Sequence, residues 1–178
     1  MAAAAAGLVQ ERRPAGVAEG VASQGSDLLL VCSTGGHLLQ LVALRDSFGE
    51  FSRTWITFDK TDARSLLSEE QVLFAHGPTN RSIKNLLRNL LLARRVVRSV
   101  RPKILVTTGA GVAVPFAWMA RLRGIPVVYV ESLSRIEGPS LSYRLIAPFA
   151  ARTYVQWQEL ADALPRARFA GNVFSASA

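Results

Sequence analysis

The sequence has no acid where it has most base. Between Glu70 and Glu131 there is no Asp or Glu, while the same interval holds Arg81, Lys84, Arg88, Arg94, Arg95, Arg98, Arg101, Lys103, Arg121 and Arg123. The formal net charge of +8 is centred on this block. Such a block attracts nucleic acid, anionic lipid or phosphorylated substrates, and composition does not choose among them. Cysteine is nearly absent. The single Cys32 excludes an internal disulfide framework and fits a reducing compartment, its expected role being a small buried hydrophobe. Histidine is scarce, with only His37 and His76, and no His/Cys/Asp cluster suggests a metal. Long apolar runs are missing as well. The uncharged stretch from Ile104 to Ala120 is shorter than the roughly 20 residues of a spanning helix and is broken by Gly109, Gly111 and Pro115. Residues 1–25 are rich in Ala and Gly, and Arg12 and Arg13 follow the alanines rather than precede an apolar run. That order argues against a secretory signal and for a disordered leader.

What remains is one domain's worth of globular sequence, assigned to residues 26–178. With 49% hydrophobic and 19% charged residues, the chain can bury a substantial core. Short β-rich runs at 27–32, 53–58, 71–76, 103–108, 125–130, 152–156 and 166–171 alternate with helical candidates at 36–48, 61–69, 81–101, 111–123, 140–149 and 157–164. Near-continuous apolar strands separated by helices predict a Rossmann-like, doubly wound α/β domain with a parallel sheet. Ligands of such folds lie at the carboxyl ends of the strands.

Those ends carry the motifs. The first strand runs into STGGH, the second into Asp59, the fourth into TTGAGVAVP and the fifth into ESLSRIEGPS. Two are glycine turns opening helices, where free backbone N–H groups and the helix dipole favour a phosphate or diphosphate. Tight-turn glycines with no ligand are the alternative. The dinucleotide fingerprint G-x-G-x-x-G is absent, since STGGHLLQL has adjacent glycines, no third one, and a histidine and leucines in place of small residues. His37, at the start of its helix, is a candidate general base, with capping or packing as the alternative. Glu131, the first acid after the basic interval, is a second candidate, its alternative being to cap the next segment or pair with an arginine. His76, in the turn HGPTN, has no evident partner in the sequence. In the segment from Ile83 to Arg101, Ile83, Leu86, Leu90, Ala93, Val97 and Val100 share one helical face, with Lys84, Arg88 and Arg95 on another. The basic side suits an anionic membrane surface or an ordinary solvated face.

The stretches STGGHLLQL, TTGAGVAVPFAWMARLRGIPVVYVESLSRI and PSLSYRLIAPFAARTYVQWQEL resemble the bacterial PssD-like polysaccharide-biosynthesis proteins. These are related to subunit fourteen of the eukaryotic asparagine-linked glycosylation pathway. The order of motifs, down to AGNV, is also similar to the N-terminal half of the peptidoglycan glycosyltransferase MurG. The resemblance covers Asp27 to Val173 and implies one half of a GT-B glycosyltransferase, the half that binds the lipid-linked acceptor. It further implies a separate partner subunit holding the UDP-sugar donor, with no cofactor. Carried over by resemblance, the acceptor diphosphate faces Ser33, Thr34, Gly35 and Gly36 in the first turn and Thr108, Gly109 and Gly111 in the second. Glu131 and Ser132 border the cleft, Ser132 and Ser134 join the acceptor-binding residues, Gln156 and Trp157 lie toward the partner or on the cleft floor, and Asn172 lies toward the partner. His37 is the expected base, with Glu131 as its alternative or orienter. Unlike the eukaryotic subunit, this sequence shows no N-terminal membrane helix. That shifts attachment to the cytoplasmic membrane face onto Lys84, Arg88 and Arg95. A non-catalytic scaffold that recruits the partner and a basic nucleic-acid-binding domain are the other two readings, the second lacking any recognisable nucleic-acid motif.

Overall fold

The computed structural model describes residues 25–79 and 82–174; all of the expected leader but Gly25 lies outside the described residues, as does Arg81. Seven strands, β1 (Leu28–Val31), β2 (Arg53–Phe58), β3 (Gln71–Ala75), β4 (Ile104–Thr107), β5 (Val127–Val130), β6 (Arg152–Val155) and β7 (Ala167–Phe169), form one sheet. Every pairing is parallel, and the order is β3-β2-β1-β4-β5-β6-β7. The helices are α1 (Gly36–Ala43), α2 (Thr61–Leu66), α3 (Ile83–Val100), α4 (Ala113–Leu122), α5 (Leu141–Ile146) and α6 (Gln158–Ala163), with a 3-10 turn at Arg45–Phe48. The strand order reverses between β1 and β4, which pair from Leu28 opposite Ile104 to Val31 opposite Thr107. The turns that leave these two strands are therefore side by side, at the switch point where such sheets leave a crevice.

The alternation of side chains along each strand divides the core into two layers. Leu29, Val31, Ile56, Leu105 and Tyr129 point to the side packed by α3, α4 and α5, where Ala93, Val97, Phe116, Ala117 and Ile146 are buried. Leu30, Trp55 and Cys32 point to the other, packed by Leu38 and Leu41 of α1 and Ala63 and Leu67 beside α2. Burial pushes the Cys32 thiol up to about 12, so it is packing material rather than a nucleophile.

Among the described residues this second layer is incomplete. Beside α1, the side chains of Ile104, Val106, Val128, Val130 and Tyr154 floor an apolar groove of about 560 Å³. Phe48 and Phe51 wall one side and residues 170–173 the other. Parallel strands are ordinarily covered on both faces.

Helix α3 departs from its expected face. Ser82 accepts a hydrogen bond from Asn85 N and starts the helix, and Ala93, Val97 and Val100 are buried as expected. Ile83, however, is 75% exposed, as are Leu87 (55%) and Leu91 (62%). The core takes Asn89 and Val96 instead. The polar Asn89 is paid for by two bonds that clamp the turn after β3, one from His76 N to Oδ1 and one from Nδ2 to His76 O, both 2.8 Å. Leucine and isoleucine thus share the outer face with Lys84, Arg88 and Arg95, all three exposed.

Candidate functional site

A cleft of about 1290 Å³ opens over the carboxyl ends of the strands. Its walls include Ser33 and His37 from the first turn, Lys60 after β2, Thr79 after β3, Ala110 and Gly111 after β4, and Ser132, Ser134 and Arg135 after β5. Strand order alone explains why residues so far apart in sequence meet.

His37 is held from both ends by one residue. Its Nδ1 stands 2.7 Å from the backbone oxygen of Thr108, and the Thr108 hydroxyl donates back to the His37 carbonyl at 2.8 Å. A carbonyl can only accept, so Nδ1 carries the proton and, in the neutral ring, Nε2 keeps the lone pair. The pair also staples the two glycine turns together. His76, by contrast, stands apart, and burial lowers its pKa.

The glycines divide into different roles. Gly35 adopts φ +69, and its N–H donates to Asp62 Oδ2 at 2.7 Å, so its amide is already engaged by a carboxylate. A Cβ on Gly36 would meet only Gln40 Nε2, at 3.9 Å, so nothing within the chain requires glycine there. Gly36 is exposed, and neither it nor Thr34 or Gly35 lines the cleft. Gly109, expected to face a phosphate, is buried instead: its N–H donates to the Thr107 hydroxyl, and a Cβ there would stand 2.6 Å from Tyr129 Oη. Gly111 opens on the cleft, where a Cβ would lie 3.1 Å from Thr79 Oγ1. Thr34 sits beside the Ser33 hydroxyl, which donates to its carbonyl.

Glu131 is corrected from candidate base to internal anchor. It is fully buried, and its carboxylate accepts from Ser132 N and Ser140 N, each at 2.8 Å, and from Tyr129 Oη at 3.3 Å. Three donors hold both ends of the 131–140 loop. Tyr129 Oη also meets the hydroxyl of Ser140 at 3.1 Å, and burial raises the phenol's pKa. Gln156 and Trp157, expected toward a partner or on the cleft floor, make their hydrogen bonds inward, and Gln156 also lines the apolar groove. Gln156 is 2% exposed and joins Gln40 Oε1, Glu131 O and Val173 N, while Trp157 Nε1 donates to Leu133 O at 2.7 Å. Asn172 lines the apolar groove and accepts from Phe174 N.

The sequence reading missed Gln40, Lys60, Asp62 and Arg135. Gln40 had a signal, being a polar residue at a core position of the apolar helix GHLLQLVA. Asp62 had none, because its partner Gly35 lies 27 residues away. Asp59, at the cleft edge, is engaged by Arg64 at 2.6 and 2.9 Å, which holds its carboxyl below the usual range. The remaining cleft charges, Lys60 and Arg135, favour an anion. Among the described residues no group of His, Cys, Asp and Glu could hold a metal, and no helix is long and apolar enough to cross a membrane.

Comparison with known proteins agrees with this architecture. The "UDP-N-acetylglucosamine transferase subunit ALG14" of Debaryomyces hansenii is 27% identical over 83% of this chain and 76% of its own length. The "UDP-N-acetylglucosamine--N-acetylmuramyl-(pentapeptide) pyrophosphoryl-undecaprenol N-acetylglucosamine transferase" of Halothermothrix orenii is 31% identical over 71% of this chain, but only 37% of its own length is covered. Among solved structures, MurG of Acinetobacter baumannii superposes with a TM-score of 0.66 at 15% identity, over 84% of this chain and 46% of that one. The chain thus spans less than half the length of its MurG-type relatives. The family model described as "Oligosaccharide biosynthesis protein Alg14 like" matches residues 28–173, nearly the whole described domain, and the chain belongs to that family.

Proposed function

We propose that this chain is the acceptor-binding, membrane-associating subunit of a two-component glycosyltransferase that extends a polyprenyl-diphosphate-linked saccharide, in polysaccharide or lipid-linked oligosaccharide synthesis. The observation that carries the reading is the staple between the two turns at the switch point. It puts an imidazole whose Nε2 has no partner among the described residues on the wall of a cleft whose charges, apart from the Asp59–Arg64 pair, are positive among those residues. In the reaction, the acceptor hydroxyl oxygen forms a bond to the sugar's anomeric carbon as that carbon's bond to the UDP oxygen breaks. UDP leaves with the electron pair, and Nε2 of His37 takes the hydroxyl proton. The Thr108 carbonyl, accepting from Nδ1, orients the ring and stabilises the imidazolium that forms. The diphosphate lies against Ser33 and Gly111, with Lys60 and Arg135 offsetting its charge.

The donor site belongs to a separate subunit, as the word subunit in the relatives' names suggests. UDP-N-acetylglucosamine, common to both groups of names, is the first donor to test. The apolar groove offers the partner a docking surface, with Asn172 on its rim. The outer face of α3, with Ile83, Leu87 and Leu91 between cations, supports attachment to the anionic cytoplasmic face of the membrane. Leu141 and Leu145 of α5 line the cleft and are also exposed, so a polyprenyl chain can leave the cleft along them toward that surface.

The test is transfer to a polyprenyl-diphosphate acceptor by the chain reconstituted with its partner. His37→Ala is expected to lower kcat by roughly 100- to 10,000-fold, the usual contribution of a positioned base. Full activity of that variant favours the scaffold reading. Salt-sensitive binding to nucleic acid without binding to anionic vesicles favours the basic-domain reading.

A further inference from the structure

Gln40 is a buried carboxamide that the proposed reaction does not use. It is 5% exposed, and its Nε2 donates to Gly36 O at 2.9 Å and stands 3.5 Å from Ser132 Oγ. Its Oε1 accepts from Leu133 N at 2.8 Å and from Gln156 Nε2 at 2.6 Å. Gln156 in turn donates to Glu131 O at 2.9 Å and accepts from Val173 N at 3.1 Å. The orientation of both amides is fixed by the backbone. Gly36 O and Glu131 O can only accept, and the N–H groups of Leu133 and Val173 can only donate.

Among the described residues, every hydrogen bond between segment 33–40 and loop 131–134 runs through Gln40. The His37 turn is tied to the 108–109 turn by its own staple, but its spacing from the opposite wall depends on this one side chain. We infer that Gln40, seconded by Gln156, is the positioning residue that sets the His37 turn against the Ser132–Ser134 turn and so fixes the width of the cleft. Through Gln156 and Val173, the same pair makes the cleft answer to the segment that walls the apolar groove.

The inference rests on the diphosphate reading only for its binding measurement. A glutamate at position 40 separates positioning from mere packing, because its two protonation states differ in what they can donate. Protonated, it donates to Gly36 O and accepts from Leu133 N and Gln156 Nε2, keeping the native pattern except the long donation to Ser132 Oγ. Ionised, it sets an oxyanion against the Gly36 carbonyl in a buried site, which raises its pKa above the ordinary carboxylate value. The native arrangement is therefore present at low pH and lost as pH rises through that raised value.

The full chain, labelled for NMR, is titrated with inorganic pyrophosphate from pH 5 to pH 8 as wild type, Gln40→Glu, Gln40→Met and Gln156→Met. Affinities are expressed relative to wild type at each pH, which cancels pH effects common to all variants, including those of pyrophosphate. For Gln40→Glu the ratio is expected near unity at the acid end and to fall by about tenfold at the alkaline end, the cost of unmaking one buried hydrogen-bonded contact. Gln40→Met is expected to be weakened equally at all pH values, with amide shifts confined to the two turns and Val173. Gln156→Met is expected to show a smaller version of the same pattern. A pH-independent ratio for Gln40→Glu, or unmoved turn amides in Gln40→Met, overturns the inference. If Gln40→Met does not fold, Gln40→Glu at acid pH and Gln156→Met still decide it. If wild type does not bind pyrophosphate, the diphosphate reading fails, and the amide shifts of the two turns decide the positioning role by themselves.

Discussion

Gly109 shows how much one missing Cβ can matter. Its φ is +93, and the space a methyl group would take is occupied by Tyr129 Oη at 2.6 Å. Gly109→Ala combines backbone strain with a clash inside a hydrogen-bonded cluster, and is expected to destabilise the fold by about 2–4 kcal/mol in urea denaturation. Adding Tyr129→Phe removes the clashing oxygen but leaves the strain and takes a donor from Glu131, so Gly109→Ala is compared with Tyr129→Phe alone, where it should cost less than in wild type but not nothing. No cost in the Tyr129→Phe background would show that φ contributes nothing. The sequence singled out this glycine correctly as special but for the wrong reason. A neighbour 20 positions away decided its role. Glu131 went the same way: an acid after an apolar strand reads equally as a base or a cap, and only the positions of Ser132 N, Ser140 N and Tyr129 Oη distinguish the two.

At the scale of elements, β1 and β4 are tied at their amino ends as well as by their ladder. Asp27 receives Lys103 Nζ at 2.7 Å and the Ser52 hydroxyl at 2.7 Å, and Lys103 and Ser52 hold its carboxyl down at about 2, below the ordinary 3.8. A depressed folded pKa contributes stability that is present above the unfolded value and lost as pH falls through the folded one. The difference in Tm between wild type and Asp27→Asn is therefore expected in full above pH 4, to shrink as pH falls toward about 2 and to vanish below it. A difference that does not shrink over that range would point to packing instead.

Helix α3 carries the second prediction at this scale. Replacing Lys84, Arg88 and Arg95 by Gln should weaken partition onto anionic vesicles by about 1 kcal/mol per charge, with salt having the same sense. Leu87→Ser and Leu91→Ser should weaken it on neutral vesicles too. The helix itself was legible from its apolar spacing, but its rotation was not. Ile83 and Leu87 suit a core as well as a surface, and the choice fell to Asn89, whose two bonds to His76 fix which side faces the sheet.

For the whole molecule, the unequal covering of the sheet is the main consequence. Helices α3, α4 and α5 close one face, whereas α1 and α2 close only the β1–β3 half of the other. Among the described residues the apolar floor over β4, β5 and β6 stays open, and the proposed docking of a donor subunit there predicts that Val128→Arg abolishes co-purification with it. The circular dichroism and Tm of the isolated chain should change little, because Val128 is only half-buried. Retained assembly would move the interface elsewhere.

The sequence by itself determined the strands, the helices, their parallel winding and the two glycine turns, because these depend on local periodicity and on residues within one turn of each other. Family membership was legible for the same reason, being written in contiguous motifs. Only the tertiary structure decided which amides of STGGH are engaged, which acid is buried, how α3 is rotated and that Gln40 joins the cleft walls. Each of these depends on contacts between helices, turns and loops that the fold brings together, and the chain's local pattern carries no information about which donor or acceptor will arrive.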